Sequence, residues 1–87
     1  MNENKLREPV THKLKTLPEY WFEICVGRKK FELRKNDRDF RVGDSVILQE
    51  WTLDGGYTGD ELYRQINYIL RGPLYGLEEG YCIFGLF

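Results

Sequence analysis

The chain has 87 residues, 13 Lys+Arg against 14 Asp+Glu, a formal net charge of -1 and 41% hydrophobic residues. That is enough apolar material for one small core, too much for a disordered tail, and too little length for two domains. No apolar run approaches the ~20 residues that cross a bilayer, and residues 1–5 hold no hydrophobic signal region, so neither a membrane span nor a Sec-type signal is expected and the location is read as cytoplasmic.

Residues 1–10 are polar, lack periodicity and end near Pro9, which reads as a loose tail ahead of one domain over 11–87. Thr11–Leu17 is a strand candidate, with His12 and Leu14 two apart and therefore on one side. Thr16 and Glu19 fit a capping box, and Pro18 sits where a helix needs no N–H donor. Tyr20, Trp21, Ile24 and Cys25 then fall on one helical stripe, and Gly27 stops the helix.

After Gly27 the period changes. Phe31 and Leu33 alternate with Lys30, Glu32 and Arg34, a half-buried strand whose polar face carries two cations and one carboxylate. Residues 36–39 and Gly43-Asp44 are turns. Ser45–Thr52 is a strong strand, residues 54–59 a glycine-rich connection, and Glu61–Leu70 a long strand. Residues 71–80 form a loop. Tyr81–Phe87 is a final strand, too apolar to be left as a free edge. Five strands and one early helix predict a mainly β, α+β domain, built as a small closed or nearly closed barrel.

Charge is uneven along this order. Residues 28–41 hold seven basic and three acidic side chains, and residues 42–87 hold two basic and seven acidic. This pattern excludes indiscriminate polyanion binding and leaves room for a confined phosphate-contacting site. Cys25 and Cys82 lack metal-ligand spacing and read as two free, buried thiols, and the single histidine has no spaced partner, so no metal or cofactor is expected.

The informative segment is Gly27-Arg28-Lys29-Lys30-Phe31-Glu32-Leu33-Arg34. Lys29 in the turn, with Glu32 and Arg34 two apart on one strand face, makes a compact polar corner. Arg offers a planar fork to phosphate or a base edge, Glu accepts from exocyclic amino groups, and Lys supplies a mobile charge. The blander reading is a Glu32–Arg34 surface ion pair. Trp51, Tyr57 and Tyr63 are stacking candidates: Trp51 alternates with Ile47 and favours the core, while Tyr57, among glycines, suits a ligand-contacting lid.

Gly27-x-Lys29-x-x-Glu32-x-Arg34 is similar to the G-x-K-x-x-E-x-R signature of ASCH domains, small β-barrels related to the PUA fold and proposed to bind RNA. The longer pattern, His12-x-Leu14-Lys15, Pro18-x-Tyr20, Phe31-Glu32-x-Arg34-Lys35-Asn36-Asp37-Arg38-x-Phe40, Val42-Gly43-Asp44 and Tyr57-Thr58-Gly59, resembles a bacterial and phage branch catalogued as a domain of unknown function. The resemblance implies a cleft lined by Lys29, Glu32 and Arg34, extended by Lys35, Asn36, Asp37 and Arg38, and bordered by His12 and Lys15. RNA or a nucleotide is then the expected partner. Asp37 either orients Arg38 or meets ligand.

Two alternatives stand beside this binding module. One group of small ASCH proteins hydrolyses the amide of acylated cytidine with a lysine where this chain has Lys29 and a threonine where it has Glu32. Here Glu32 would have to act as a general base and Lys29 as the oxyanion donor. The other is a protein-interaction domain.

Overall fold

In the computed structural model, which describes residues 7–87, the elements run β1 (Thr11–Thr16), α1 (Pro18–Cys25), β2 (Phe31–Lys35), β3 (Ser45–Thr52), β4 (Gly56–Arg71) and β5 (Tyr81–Leu86). Of the expected N-terminal tail, residues 1–6 lie outside the described residues. Beyond them, Arg7 and the Val10 N–H are bonded to Asp44.

The strands form one mixed sheet in the order β1-β3-β4-β5-β2, with β1 parallel to β3 and every other pair antiparallel. The sixteen residues of β4 make this possible. Its first part pairs with β3 through Gln65, and its last part, from Ile66, pairs with β5. Tyr57 therefore belongs to a strand, opposite Trp51, and not to a glycine-rich lid. The backbone ladder is not closed into the expected barrel. β1 and β2 are its two ends. Arginine side chains span the interval between them: Arg34 donates to the Lys15 carbonyl (3.0 Å) and Arg38 to the Lys13 carbonyl (2.6 Å). Both carbonyls lie on the outer edge of β1, where a neighbouring strand would otherwise supply N–H donors.

The core gathers Leu14, Ile24, Phe40, Val46, Leu48, Ile66, Cys82, Phe84 and Leu86, with Trp21 packed against it and its indole N–H bonded to the Leu48 carbonyl. Helix α1 contributes only Ile24 fully and Trp21 partly; Tyr20 and Cys25 are exposed. Cys25 is thus not the buried thiol expected, because eight helical residues lie on the sheet by one narrow stripe. The capping box is not formed either. Leu17 is the N-cap residue, and the Thr16 hydroxyl is turned to the Leu14 carbonyl (3.1 Å). Pro18 opens the helix, and Gly27, at φ 84°, turns the chain out of it.

Strand β2 is inverted relative to its hydrophobic pattern. Glu32 is 4% exposed, whereas Phe31 and Leu33 are 49% and 57% exposed. The polar residues point into the gap beside β1, where each other's charges and the β1 carbonyls satisfy them, and the apolar residues face out. Buried carboxylates persist where they are paired and hydrogen-bonded, which is the condition met here.

Candidate functional site

The inversion of β2 places a cleft at the open end of the sheet. A hollow of about 530 Å³ is lined by Lys15, Thr16 and Leu17 at the end of β1, Tyr20 of α1, Lys29 of the turn, and Phe31 to Arg34 of β2. Its size falls in the range of small-molecule sites.

Glu32 is the hub. Lys29 Nζ donates to one carboxylate oxygen, and Arg34 Nε donates to the other at 2.9 Å. Lys29 also donates to the Phe31 carbonyl (2.6 Å) and lies 4.8 Å from the Phe31 ring centroid and 5.8 Å from that of Tyr20. Arg34 Nη2 continues to the Lys15 carbonyl and the Thr16 hydroxyl, and the Arg34 side chain keeps 25% of its surface exposed. The positive φ of Gly27 lets the chain double back within a few residues, so Lys29 returns beside Glu32. Two cations, Lys29 and Arg34, hold the one carboxylate, and Lys15 lines the same cleft, so basic side chains outnumber acidic ones there. Its walls are rings and aliphatic side chains.

The other residues singled out from sequence divide. Lys15 lines the cleft and lies over the Trp51 ring at 4.3 Å, and Trp51 is half-buried. His12 does not border it. His12 is buried, with Nε2 2.8 Å from the Asp44 carboxylate and its ring edge-on to Phe40. Asn36 turns its side-chain carbonyl to the Phe40 N–H (3.1 Å), so it fixes the 36–44 loop and presents no amide to the cleft. Arg38 clamps β1 through Lys13, and Asp37 is exposed. Lys35 is exposed and shares the outer face of Phe31 and Leu33. Tyr57 and Tyr63 are exposed on β4 and are not among the cleft residues. Conversely, Thr16, Leu17, Tyr20, Phe31 and Leu33 line the cleft without having been singled out. An available signal was the pair of aromatics, Tyr20 and Phe31, flanking the Gly27 corner.

A second polar cluster stands apart from the cleft. Asp44 is fully buried and accepts from Arg7 Nη1 and Nη2 (3.0 Å each), the Val10 N–H (3.2 Å) and the Arg41 N–H (3.0 Å), in addition to its contact with His12. Burial pushes its carboxyl up, but these partners outweigh burial and hold it at about 2. This cluster ties the residues before β1 to the turn before β3.

Among the described residues no helix is long and apolar enough to cross a membrane. The model of a domain of unknown function, DUF3850, matches residues 11–86. An uncharacterized 12.9 kDa protein in the GpA 3'region of Escherichia phage P2 is 36% identical over 55 residues, 63% of this chain and 50% of that relative. The matched stretch thus spans half the length of the phage protein. With its family match running from the start of β1 to the end of β5, the chain belongs to the DUF3850 family.

Proposed function

We propose that the cleft binds a nucleotide, free or within RNA, and that the domain is an ASCH-like, PUA-related binding module of the cytoplasm. The observation that carries this reading is the buried Glu32 carboxylate clamped by Lys29 and Arg34 in a hollow with aromatic walls. Tyr20 and Phe31 offer ring faces for a base. Lys15, Lys29 and Arg34 supply charge and a planar fork for phosphate. A carboxylate has about four acceptor positions, so Glu32 keeps capacity for an exocyclic amino group beyond its two cations. The free state of Cys25 and Cys82 suits a reducing compartment.

Amide hydrolysis ranks second. A hydroxyl is present in the cleft at Thr16, but it donates to the Leu14 carbonyl and accepts from Arg34, so no base draws off its proton. Incubation with N4-acetylcytidine is expected to release no cytidine, and release abolished in Glu32→Ala would favour the hydrolase.

The binding reading is tested by titrating mononucleotides and a short RNA at two salt concentrations against the wild type, Lys29→Ala and Arg34→Ala. Saturable RNA binding is expected to weaken with salt, with a slope near -0.7 per phosphate contacted, and to fall in both variants. No saturation at either salt concentration refutes the reading, and capture of a protein partner without nucleic acid favours the interaction domain.

A further inference from the structure

The apolar residues that β2 turns outward do not stand alone, because strand pairing places them in rows. Phe31 pairs with Gly85, and Gly85 with Tyr68; Leu33 pairs with Ile83, and Ile83 with Leu70. Directly paired residues share a face. The outer face of β2-β5-β4 therefore carries Phe31 and Tyr68 on either side of a residue with no side chain. Tyr68 is 65% exposed.

That vacant position is filled from elsewhere. The β4-β5 register shifts between Ile66 and Tyr68, which makes Asn67 the extra residue of a bulge. The Asn67 side-chain oxygen lies 2.4 Å from where a Gly85 Cβ would stand. Asn67 is itself exposed. A solvent-facing amide thus sits between two aromatic side chains on a pleated surface. Bulges recur where a side chain is re-aimed beside a site. The combination suits a base reader: rings stack on any base, and Asn offers a donor and an acceptor to a base edge.

We infer that this outer face is a second base subsite, continuous with the cleft, and that the ligand is single-stranded RNA of at least two nucleotides. The inference rests on the nucleotide reading of the cleft. Phe31 and Leu33 belong to both surfaces, since they line the cleft and form the edge of the outer face. The charge distribution agrees. Lys29 and Lys30 adjoin the Phe31 end of β2, and the exposed Lys35 lies on the outer face itself at the opposite end, beside the turn that holds Glu78 and Glu79, where the Asn36 N–H bonds to the Gly80 carbonyl. A strand leaving the cleft crosses Phe31 onto the Asn67–Tyr68 side, with its phosphates near the lysines.

The test compares AMP, CMP and UMP with the hexamers rA6, rC6 and rU6, by calorimetry for the mononucleotides and fluorescence anisotropy for the hexamers. Three variants are compared with the wild type: Tyr68→Ala, Asn67→Ala and Gly85→Ala. Gly85 has no positive φ, and an added Cβ meets only the end of the Asn67 side chain, so this last change displaces the amide without disturbing the strand. At least one hexamer is expected to bind tenfold or more tightly than its mononucleotide. Tyr68→Ala is expected to lower hexamer affinity about tenfold and leave mononucleotide affinity unchanged. Asn67→Ala and Gly85→Ala are expected to level the differences among hexamers. If mononucleotides bind but hexamers gain nothing, or Tyr68→Ala leaves hexamer affinity intact, the inference fails and the cleft reading survives. If neither class saturates, the cleft reading fails and this inference with it. A dimer in sedimentation equilibrium that Tyr68→Ala dissociates assigns the face to a second copy and overturns the RNA subsite.

Discussion

Arg34 on β2 donates to the Lys15 carbonyl on β1 at 3.0 Å, across the interval where these two end strands exchange no backbone bonds. The same guanidinium holds Glu32, so one side chain both fastens the open sheet and builds the cleft floor. Arg34→Ala is therefore expected to cost about 2 kcal/mol of stability, because it removes a charge-assisted bond to a buried carboxylate and a bond to an edge carbonyl. Urea denaturation checks this. Arg34→Lys is expected to recover only part, since an ammonium lacks the planar fork that reaches both partners.

The inverted orientation of β2 makes a contrasting pair of predictions. Leu33→Thr is expected to change stability by no more than about 0.5 kcal/mol, since Leu33 is mostly exposed. Phe84→Ala, on the inner face opposite Glu32, is expected to cost about 3–5 kcal/mol. If β2 instead obeyed its hydrophobic alternation, Leu33→Thr would be among the costly substitutions.

That strand also marks where sequence reasoning stops. Element types and order were legible, because each signal was local: the 3.6 period and Gly27 for α1, β-rich runs for β3 and β5, glycines at the turns. The corner of Lys29, Glu32 and Arg34 was legible for the same reason, since three neighbours in sequence meet around one turn. Orientation in β2 was not. It is decided by Lys15 and Thr16, eighteen or nineteen residues away, which receive Arg34. Nothing local announces Asp44, 32 residues on from its partner His12, so the sequence alone leaves His12 at the cleft. The bond from the Phe40 N–H to Asn36 depends on how the loop folds over the core, so the sequence alone leaves Asn36 facing ligand.

The Asp44 cluster gives the molecule an acid limit. Its carboxyl lies at about 2 in the fold against an ordinary 3.8, so the native state favours the charged form. This contributes up to about 2 kcal/mol, complete above pH ~4 and lost as the pH falls from there toward 2. Asp44→Asn is expected to flatten that limb of the stability–pH curve and to cost about 3 kcal/mol at neutral pH, because Arg7 loses its buried counter-charge. Thermal denaturation of both proteins between pH 2 and 7 measures both effects.

The two thiols are expected to separate in reactivity. Cys25 is exposed at the end of α1, whereas Cys82 is fully buried and burial pushes its thiol up. Native protein treated with a thiol-specific chromogenic reagent is expected to titrate one cysteine promptly and the second only on unfolding. Prompt reaction of both would mean that the β5 core position opens readily.

Amide chemical-shift mapping shows whether the hollow between β1, α1 and β2 receives a nucleotide. Titration of 15N-labelled protein with a short RNA is expected to move resonances of residues 15–17, 20 and 29–34 together and saturably, and to lose that response in Arg34→Ala. Shifts confined to the Asp44 cluster, or none at saturating RNA, would mean that the hollow receives no nucleotide.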